Sequence, residues 1–239
     1  MAAAKPDAPT IAELFDEIAE LYEEFSGTLD SAEHPLSEWM AAHLPRGRRA
    51  LDIGCGAGRY TVMLAALYDE VVGADAAPAM IDIARRERPR PNVRYQVRDA
   101  FDVTPAKDGL FDVVFGFSSV FLMGAPRVIL PHLAALVAPG GAFVVFEPQR
   151  PADYGDENWR INFAFQIART AYDVTGRLES SINVLRLFGH RNWTEISERS
   201  APMNGPEFRR EYTAALPGTV FMENVFPGLL TAYWRRATG

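Results

Sequence analysis

The chain has 239 residues, of which 48% are hydrophobic and 23% charged, and its formal net charge is −7 at pH 7. That length and apolar content can bury one full α/β core, whereas a split in two would leave small halves. The acidic balance and the near-absence of lysine disfavour a DNA or RNA partner, because phosphate contacts need clustered cations.

From the N-terminus, residues 1–9 hold neither a basic segment before an apolar core nor a run able to span a bilayer, so a soluble, cytoplasmic protein without membrane association is expected. Thr10 and Glu13 offer a capping box ahead of a helix whose Ile11, Leu14, Phe15, Ile18, Ala19, Tyr22 and Phe25 recur at helical spacing. A second helix over 35–44 ends at Pro45 and Gly47. Strands at about 49–53, 70–74, 92–97, 111–116 and 142–147 then alternate with helices at about 58–68, 78–87 and 125–137. This order implies right-handed βαβ units and a mostly parallel, Rossmann-like sheet covered on both faces. Arg85-Arg86-Glu87-Arg88-Pro89-Arg90 reads as a solvated helix end, where cations suit the dipole, and not as a nucleic-acid patch. The single cysteine, Cys55, rules out an internal disulfide and a cysteine-cluster zinc site, and no metal is expected.

Beyond the fifth strand, residues 150–203 form an insertion longer than an ordinary connection. It holds a helix over 158–172 and two alternating runs, 179–188 and 193–200, read as strands around Gly189-His190-Arg191-Asn192. This α/β layer is expected to cover the crevice and form a pocket for a small-molecule acceptor, with a homodimer interface as its alternative use. A helix over 206–215 and a hairpin of 219–226 with 229–236 close the chain. The expected organisation is one domain, 1–239, with a helical lid (1–45), a cofactor-binding core (46–148), the insertion (150–203) and a closing segment (204–239).

The most informative segment is Leu51-Asp52-Ile53-Gly54-Cys55-Gly56-Ala57-Gly58, a buried strand running into three alternating glycines and a helix. Such a turn lets backbone approach a ligand and aims free N–H groups at it. The spacing is G-x-G-x-G, whereas a dinucleotide fingerprint is G-x-G-x-x-G, which disfavours a Rossmann dehydrogenase. Asp52 would repel a pyrophosphate but suits ammonium and sulfonium charge; a helix-capping role competes for it. Asp75, at the end of the next strand, lies where a ribose would be held. Together these features suggest an S-adenosylmethionine site.

These residues resemble the class I S-adenosylmethionine-dependent methyltransferases of the small-molecule, natural-product type, from about Leu14 to Glu147. The same order continues through Val72-Gly73-Ala74-Asp75-Ala76-Ala77-Pro78-Ala79-Met80, Arg98-Asp99-Ala100, Phe111-Asp112-Val113-Val114-Phe115 and Leu136-Val137-Ala138-Pro139-Gly140-Gly141-Ala142-Phe143. The resemblance implies a seven-stranded sheet. It implies that Gly54, Gly56 and Gly58 cradle the methionine part, Asp75 with Ala76 holds the ribose, and Asp99 with Ala100 meets the adenine. Met80 and Phe101 would sandwich the adenine ring, a use that plain core packing rivals. Tyr22, over the sulfonium, is equally readable as one more apolar-face residue of its helix, and Phe117 would line the crevice. Asp112, opening its strand far from the carboxyl end, reads as structural.

A histidine often follows the fourth strand in such enzymes, but Phe121 and Leu122 stand there, and the Asn-Pro-Pro-Tyr motif of adenine and glutamine methylation is absent. Weak acid–base candidates are His190, Tyr22, Glu147 and Tyr154; His132 reads as structural, and His34 and His43 precede the sheet. The expected function is methyl transfer to oxygen or nitrogen of a small specialised metabolite. The alternatives are a macromolecular acceptor, or a non-catalytic cofactor-binding or regulatory protein.

Overall fold

The computed structural model describes residues 8–29, 36–200 and 202–238. Most of the 1–9 segment, His34 and the expected helix start at Pro35 lie outside the described residues.

Helix α1 (Ile11–Leu29) begins with the expected capping box: the Glu13 N–H donates to Thr10 Oγ1 (3.1 Å), and the Thr10 N–H to Glu13 Oε2 (2.6 Å). After α2 (Leu36–His43) the chain alternates through β1 (Arg49–Ile53), α3 (Arg59–Ala65), β2 (Glu70–Asp75), α4 (Pro78–Glu87), β3 (Val93–Val97), the short α5 (Pro105–Asp108), β4 (Phe111–Phe117), α6 (Pro126–Ala135) and β5 (Val137–Pro148). β5 starts earlier than expected. Val137 pairs with Phe111 ahead of a register shift, so Pro139-Gly140-Gly141 is absorbed into the strand as an irregularity.

The seven strands form one sheet in the order β3-β2-β1-β4-β5-β7-β6, where β6 is Val220–Met222 and β7 is Leu229–Arg235. The first five strands run parallel, and β7 lies antiparallel between β5 and β6. Strand order therefore reverses between β1 and β4, and that reversal opens a crevice at the carboxyl ends. Period-2 alternation divides the core. Leu51, Ile53, Val72 and Val114 face Ile129, Leu130 and Leu133 of α6 and Phe208 and Tyr212 of α10 (Gly205–Ala215). Ala50, Val71, Val113 and Phe115 face Leu64 of α3 and Leu36 and Met40 of α2.

The insertion departs from expectation. Its first helix is α7 (Trp159–Thr175), but the two runs read as strands are helices α8 (Leu178–Phe188) and α9 (Arg191–Arg199), so the layer is helical and not α/β. The apolar residues of 179–188 fit either period. Packing decides: Val184 and Leu187 are buried against α7 and α1, where only a helical face reaches both. The closing hairpin forms around Pro227-Gly228 as expected, with a shorter first strand, and α10 starts at a capping box of Asn204 and Glu207.

Asp112 is structural, as read. Its Oδ2 accepts from the backbone N–H groups of Arg48 (2.7 Å) and Arg49 (2.9 Å), tying β4 to the start of β1 far from the crevice. Asp112→Ala should lower unfolding free energy by about 1–3 kcal/mol, since two donors lose their acceptor, and urea titration measures it.

Candidate active site

The glycine turn is held onto β2 by two bonds, from Gly54 N–H (2.7 Å) and Cys55 N–H (3.1 Å) to the Ala74 carbonyl. Gly54, Gly56 and Gly58 take φ of 65°, 50° and 82°, in the left-handed region that side chains resist. Their surroundings separate them. A Cβ on Gly54 would sit 2.4 Å from Ser119 Cβ, and one on Gly58 would sit 2.5 Å from Tyr95 Oη. Close packing within the protein therefore requires those two glycines. A Cβ on Gly56 would meet only the Met80 methyl, at 3.4 Å, so Gly56 marks the open approach.

Asp75 closes β2 at this point. Its Oδ2 accepts from Gly56 N–H (2.8 Å) and its Oδ1 from Ala77 N–H (2.9 Å), and burial pushes its carboxyl above the usual range. Each oxygen keeps accepting capacity for a ligand hydroxyl. Ala76 beside it is exposed, whereas Met80 is buried among Ala19, Ala57 and Ala77. Asp52 lies on the same sheet face but turns to α3, accepting from Thr61 Oγ1 at 2.6 Å. Burial raises it to about 7, so at neutral pH it is only partly ionised. A bound cation would restore its charge.

Asp99 is exposed and accepts from Phe101 N–H (2.8 Å), capping the 3-10 turn that buries Ala100. Phe101 remains 43% exposed, with His132 behind its ring and the His132 Nε2 paired to the Ala100 carbonyl (2.9 Å). His132 is thus structural. Phe117, the last residue of β4, stacks on Tyr60 (centroids 3.9 Å apart) and against Phe146 and Phe226. Tyr60 and Phe226 carried no sequence signal, since each reads as one aromatic among many.

Helix α1 lies over this end of the sheet and is fixed by charge. The Asp16 carboxylate accepts from Ala79 N–H (2.7 Å), capping α4, whose own N-cap residue Ala77 cannot. Glu23 Oε1 meets both Arg59 Nη2 (2.5 Å) and Arg88 Nη2 (2.6 Å), and Arg88 Nη1 donates to the Ala57 carbonyl in the glycine turn (3.0 Å). Arg86 pairs with Glu20 on the same helix. The arginine run is therefore more than a solvated helix end: part of it is the seat of α1. This charged cleft has a volume of about 400 Å³ and includes Glu24 and Glu87.

Beside Glu23, Tyr22 joins an aromatic cluster with Phe15, Phe25 and Trp193 (5.2, 6.0 and 5.7 Å between centroids). Burial pushes its phenol to about 12, and the nearby Asp75 charge adds to the rise, so Tyr22 is a neutral group, and it also packs on the cluster of Ala19, Ala57, Ala77 and Met80 beside the glycine turn. His190 does something else: its Nδ1 accepts from Asn192 N–H (3.2 Å) and caps α9. Tyr154 is packed on Trp159 and Arg150. Glu147 is buried at the end of β5, with Oε2 accepting from Phe121 N–H (3.0 Å) and Oε1 unpartnered. Burial raises it to about 8. It binds β5 to the turn after β4 as a mostly protonated acid. Cys55 is buried, and burial with the nearby Asp52 and Asp75 pushes its thiol up, which suits packing and not nucleophilic attack. Among the described residues no cluster of His, Cys, Asp and Glu could hold a metal ion, and no helix is long and apolar enough to cross a membrane.

A doubly wound sheet with a left-handed glycine turn and an acidic clasp at its reversal point defines a nucleotide-cofactor protein of the α/β class. The family model described as a methyltransferase domain matches residues 51–145. Trans-aconitate 2-methyltransferase of Methylobacterium radiotolerans is 33% identical over 52% of this chain and 47% of its own length. A ubiquinone biosynthesis O-methyltransferase of Xanthomonas axonopodis pv. citri is also 33% identical, over 44% of this chain and 45% of its own. The matched segment thus spans under half the length of these relatives. Among solved structures, a chain of the complex between the Haloferax volcanii Trm112 methyltransferase activator and a methyltransferase shares the fold at TM-score 0.60, with 19% identity over 93% of this chain and 97% of its own. The DhpI–SAH complex does so at 0.54, with 18% identity over 97% of this chain and 100% of its own. Residues 51–145 thus match a methyltransferase domain, and the chain as a whole shares the fold of these two solved structures.

Two outcomes follow from this geometry. Glu23→Gln removes the carboxylate charge shared by two half-buried guanidinium groups, so hydrogen exchange in α1 should accelerate by about ten-fold or more while β1 and β4 are unchanged. For Glu147, the folded-state value of about 8 lies above the ordinary glutamate value of 4.5, so its contribution to stability is fully present below about 4.5 and is lost as pH rises through about 8. Relative to Glu147→Gln, the wild type should therefore lose on the order of 3 kcal/mol between pH 5.5 and 8.5, read from urea titrations at both values.

Proposed function

We propose that the protein binds S-adenosylmethionine in the crevice between β1 and β4 and transfers its methyl group to an oxygen or nitrogen of a small acceptor. The observation that carries this reading is the clasp of Asp75 on Gly56, open on the ligand side, with Tyr22 packed on the adjoining Ala57, Ala77 and Met80 cluster. The residues present fit the cofactor: Gly56 leaves room where any larger side chain would intrude, and Asp75 keeps acceptor capacity for ribose hydroxyls. Asp52 would regain its charge beside a cationic ligand. Ala76 and Phe101 offer exposed surface for the base, while Met80 lies beneath Gly56.

When bound, the cofactor supplies a methyl group already activated by a sulfonium, ready for in-line displacement. The chain's own task is alignment and exclusion of water. Helix α1, latched through Glu23 and Asp16, closes the crevice, and Tyr22 presents an electron-rich, uncharged ring to it. Neither Tyr22 nor Glu147 is a ready base at neutral pH, since both hold their protons. The reaction then rests on positioning an acceptor that reaches the site with a free lone pair.

A small acceptor is favoured because the arginines beside the crevice are spent on α1 and leave no cationic track for a nucleic acid. The relatives named for trans-aconitate and ubiquinone biosynthesis support a small-molecule acceptor by their names. The helical layer of α7, α8 and α9, joined to α1 through Phe25, Phe188 and Trp193, is the element we assign to enclosing that acceptor.

Calorimetric titration tests the reading. S-adenosylhomocysteine should bind and NAD should not; NAD binding with no S-adenosylhomocysteine signal would overturn it. Asp75→Ala should weaken S-adenosylhomocysteine by about 1–3 kcal/mol, and an unchanged affinity removes Asp75 from the ribose site.

A further inference from the structure

Helix α7 is inside out for a surface helix. It buries Ala164, Ala168 and Ala171 and turns Ile161, Phe165 and Tyr172 to solvent, with Phe165 61% exposed. A helix that only covered a core would do the reverse. Its antiparallel neighbour α8, tied to it by the Ser181 hydroxyl donating to the Ala168 carbonyl (2.7 Å), behaves similarly: Leu178, Ile182 and Leu185 lie exposed at i, i+4 and i+7, with Leu178 at 65%. With Val174 these make seven of the thirteen large apolar residues exposed among the described residues, all within one helical hairpin.

The structure assigns this α7–α8 face to a second copy of the same chain, packed by two-fold symmetry as a four-helix layer. Area supports that occupant. The six side chains of the two stripes expose on the order of 600 Å², about three quarters of the roughly 800 Å² per partner of a standard interface. Charge supports it too. The cations around the stripes are paired within the chain, Arg160 with Glu198, Arg169 with Asp173, Arg177 with Glu179 and Arg186 with Glu24. The face thus has an apolar centre and a rim of internally balanced charge. It matches itself better than it matches an acidic or basic partner, as an isologous contact requires. Two helices already packed antiparallel present parallel ridges that a rotated copy can interdigitate. The charged cleft under α1 and a second cleft lined by Trp39 and residues 220–225 both lie away from this face. The assignment is independent of the methyltransferase reading.

Sedimentation equilibrium of the full chain from about 1 to 100 µM tests it. The expected species is a dimer of the 26.5 kDa chain; a monomer throughout overturns the assignment. The double variant Phe165→Ser with Leu178→Ser should dissociate at least ~30-fold more readily, with far-ultraviolet circular dichroism and melting temperature unchanged. Ile182→Lys provides a second variant should that one fail to fold. A dimer that survives either folded variant with wild-type affinity lies on another surface, and refutes the proposal. A monomer that floats with phosphatidylcholine vesicles would identify a lipid surface as the occupant, which also refutes it.

Discussion

The carboxylate of Asp75 is the joint on which this molecule depends. One side chain at the end of β2 receives the N–H of Gly56 from the turn after β1 and the N–H of Ala77 at the start of α4. It therefore fixes both the loop and the helix that border the crevice. The clasp leaves the backbone at Gly56 open, since a Cβ there would meet only the Met80 methyl, and it holds a desolvated carboxylate whose oxygens keep accepting capacity. Structure and binding capacity come from the same two oxygens.

Around that joint helix α1 is attached through charge, while its inner face stays apolar. Asp16 caps α4 and Glu23 bridges Arg59 and Arg88, so α1 is held at both ends of the segment carrying Tyr22. Arg88 also reaches the Ala57 carbonyl, which couples lid and glycine turn directly. The insertion helices pack on α1 more than on the sheet: Leu187 and Ile196 are buried with Leu14 and Ile18. Helix α1 and the insertion helices pack as one helical layer, whose outer surface is the apolar α7–α8 face.

The buried acids set the electrostatic character of the site. Asp52 and Glu147 are both raised by desolvation, to about 7 and about 8, so the crevice carries less negative charge than its sequence suggests. The crevice end of the sheet thus holds partly protonated acids, a neutral phenol and stacked aromatics. It offers alignment in place of strong acid–base groups.

The local sequence determined most of the scaffold. Alternating runs and helical periods gave the five parallel strands and their helices, because strands buried on both faces must be continuously apolar. The glycine spacing with Asp52 and Asp75 gave the cofactor class, because only a few ligands suit a neutral turn between two acids. Three matters depended on tertiary structure. Residues 179–188 and 193–200 satisfied two periods at once, and contact with α1 and α7 resolved them as helices. The three glycines looked equivalent, yet Ser119 and Tyr95, distant in sequence, fill the space at Gly54 and Gly58 and leave Gly56 alone open. The arginine run looked solvated until Glu20 and Glu23 arrived from more than 60 residues away. Spacing along the chain encodes local geometry, but the environment of a charge or a Cβ is set by whichever remote segment folds against it.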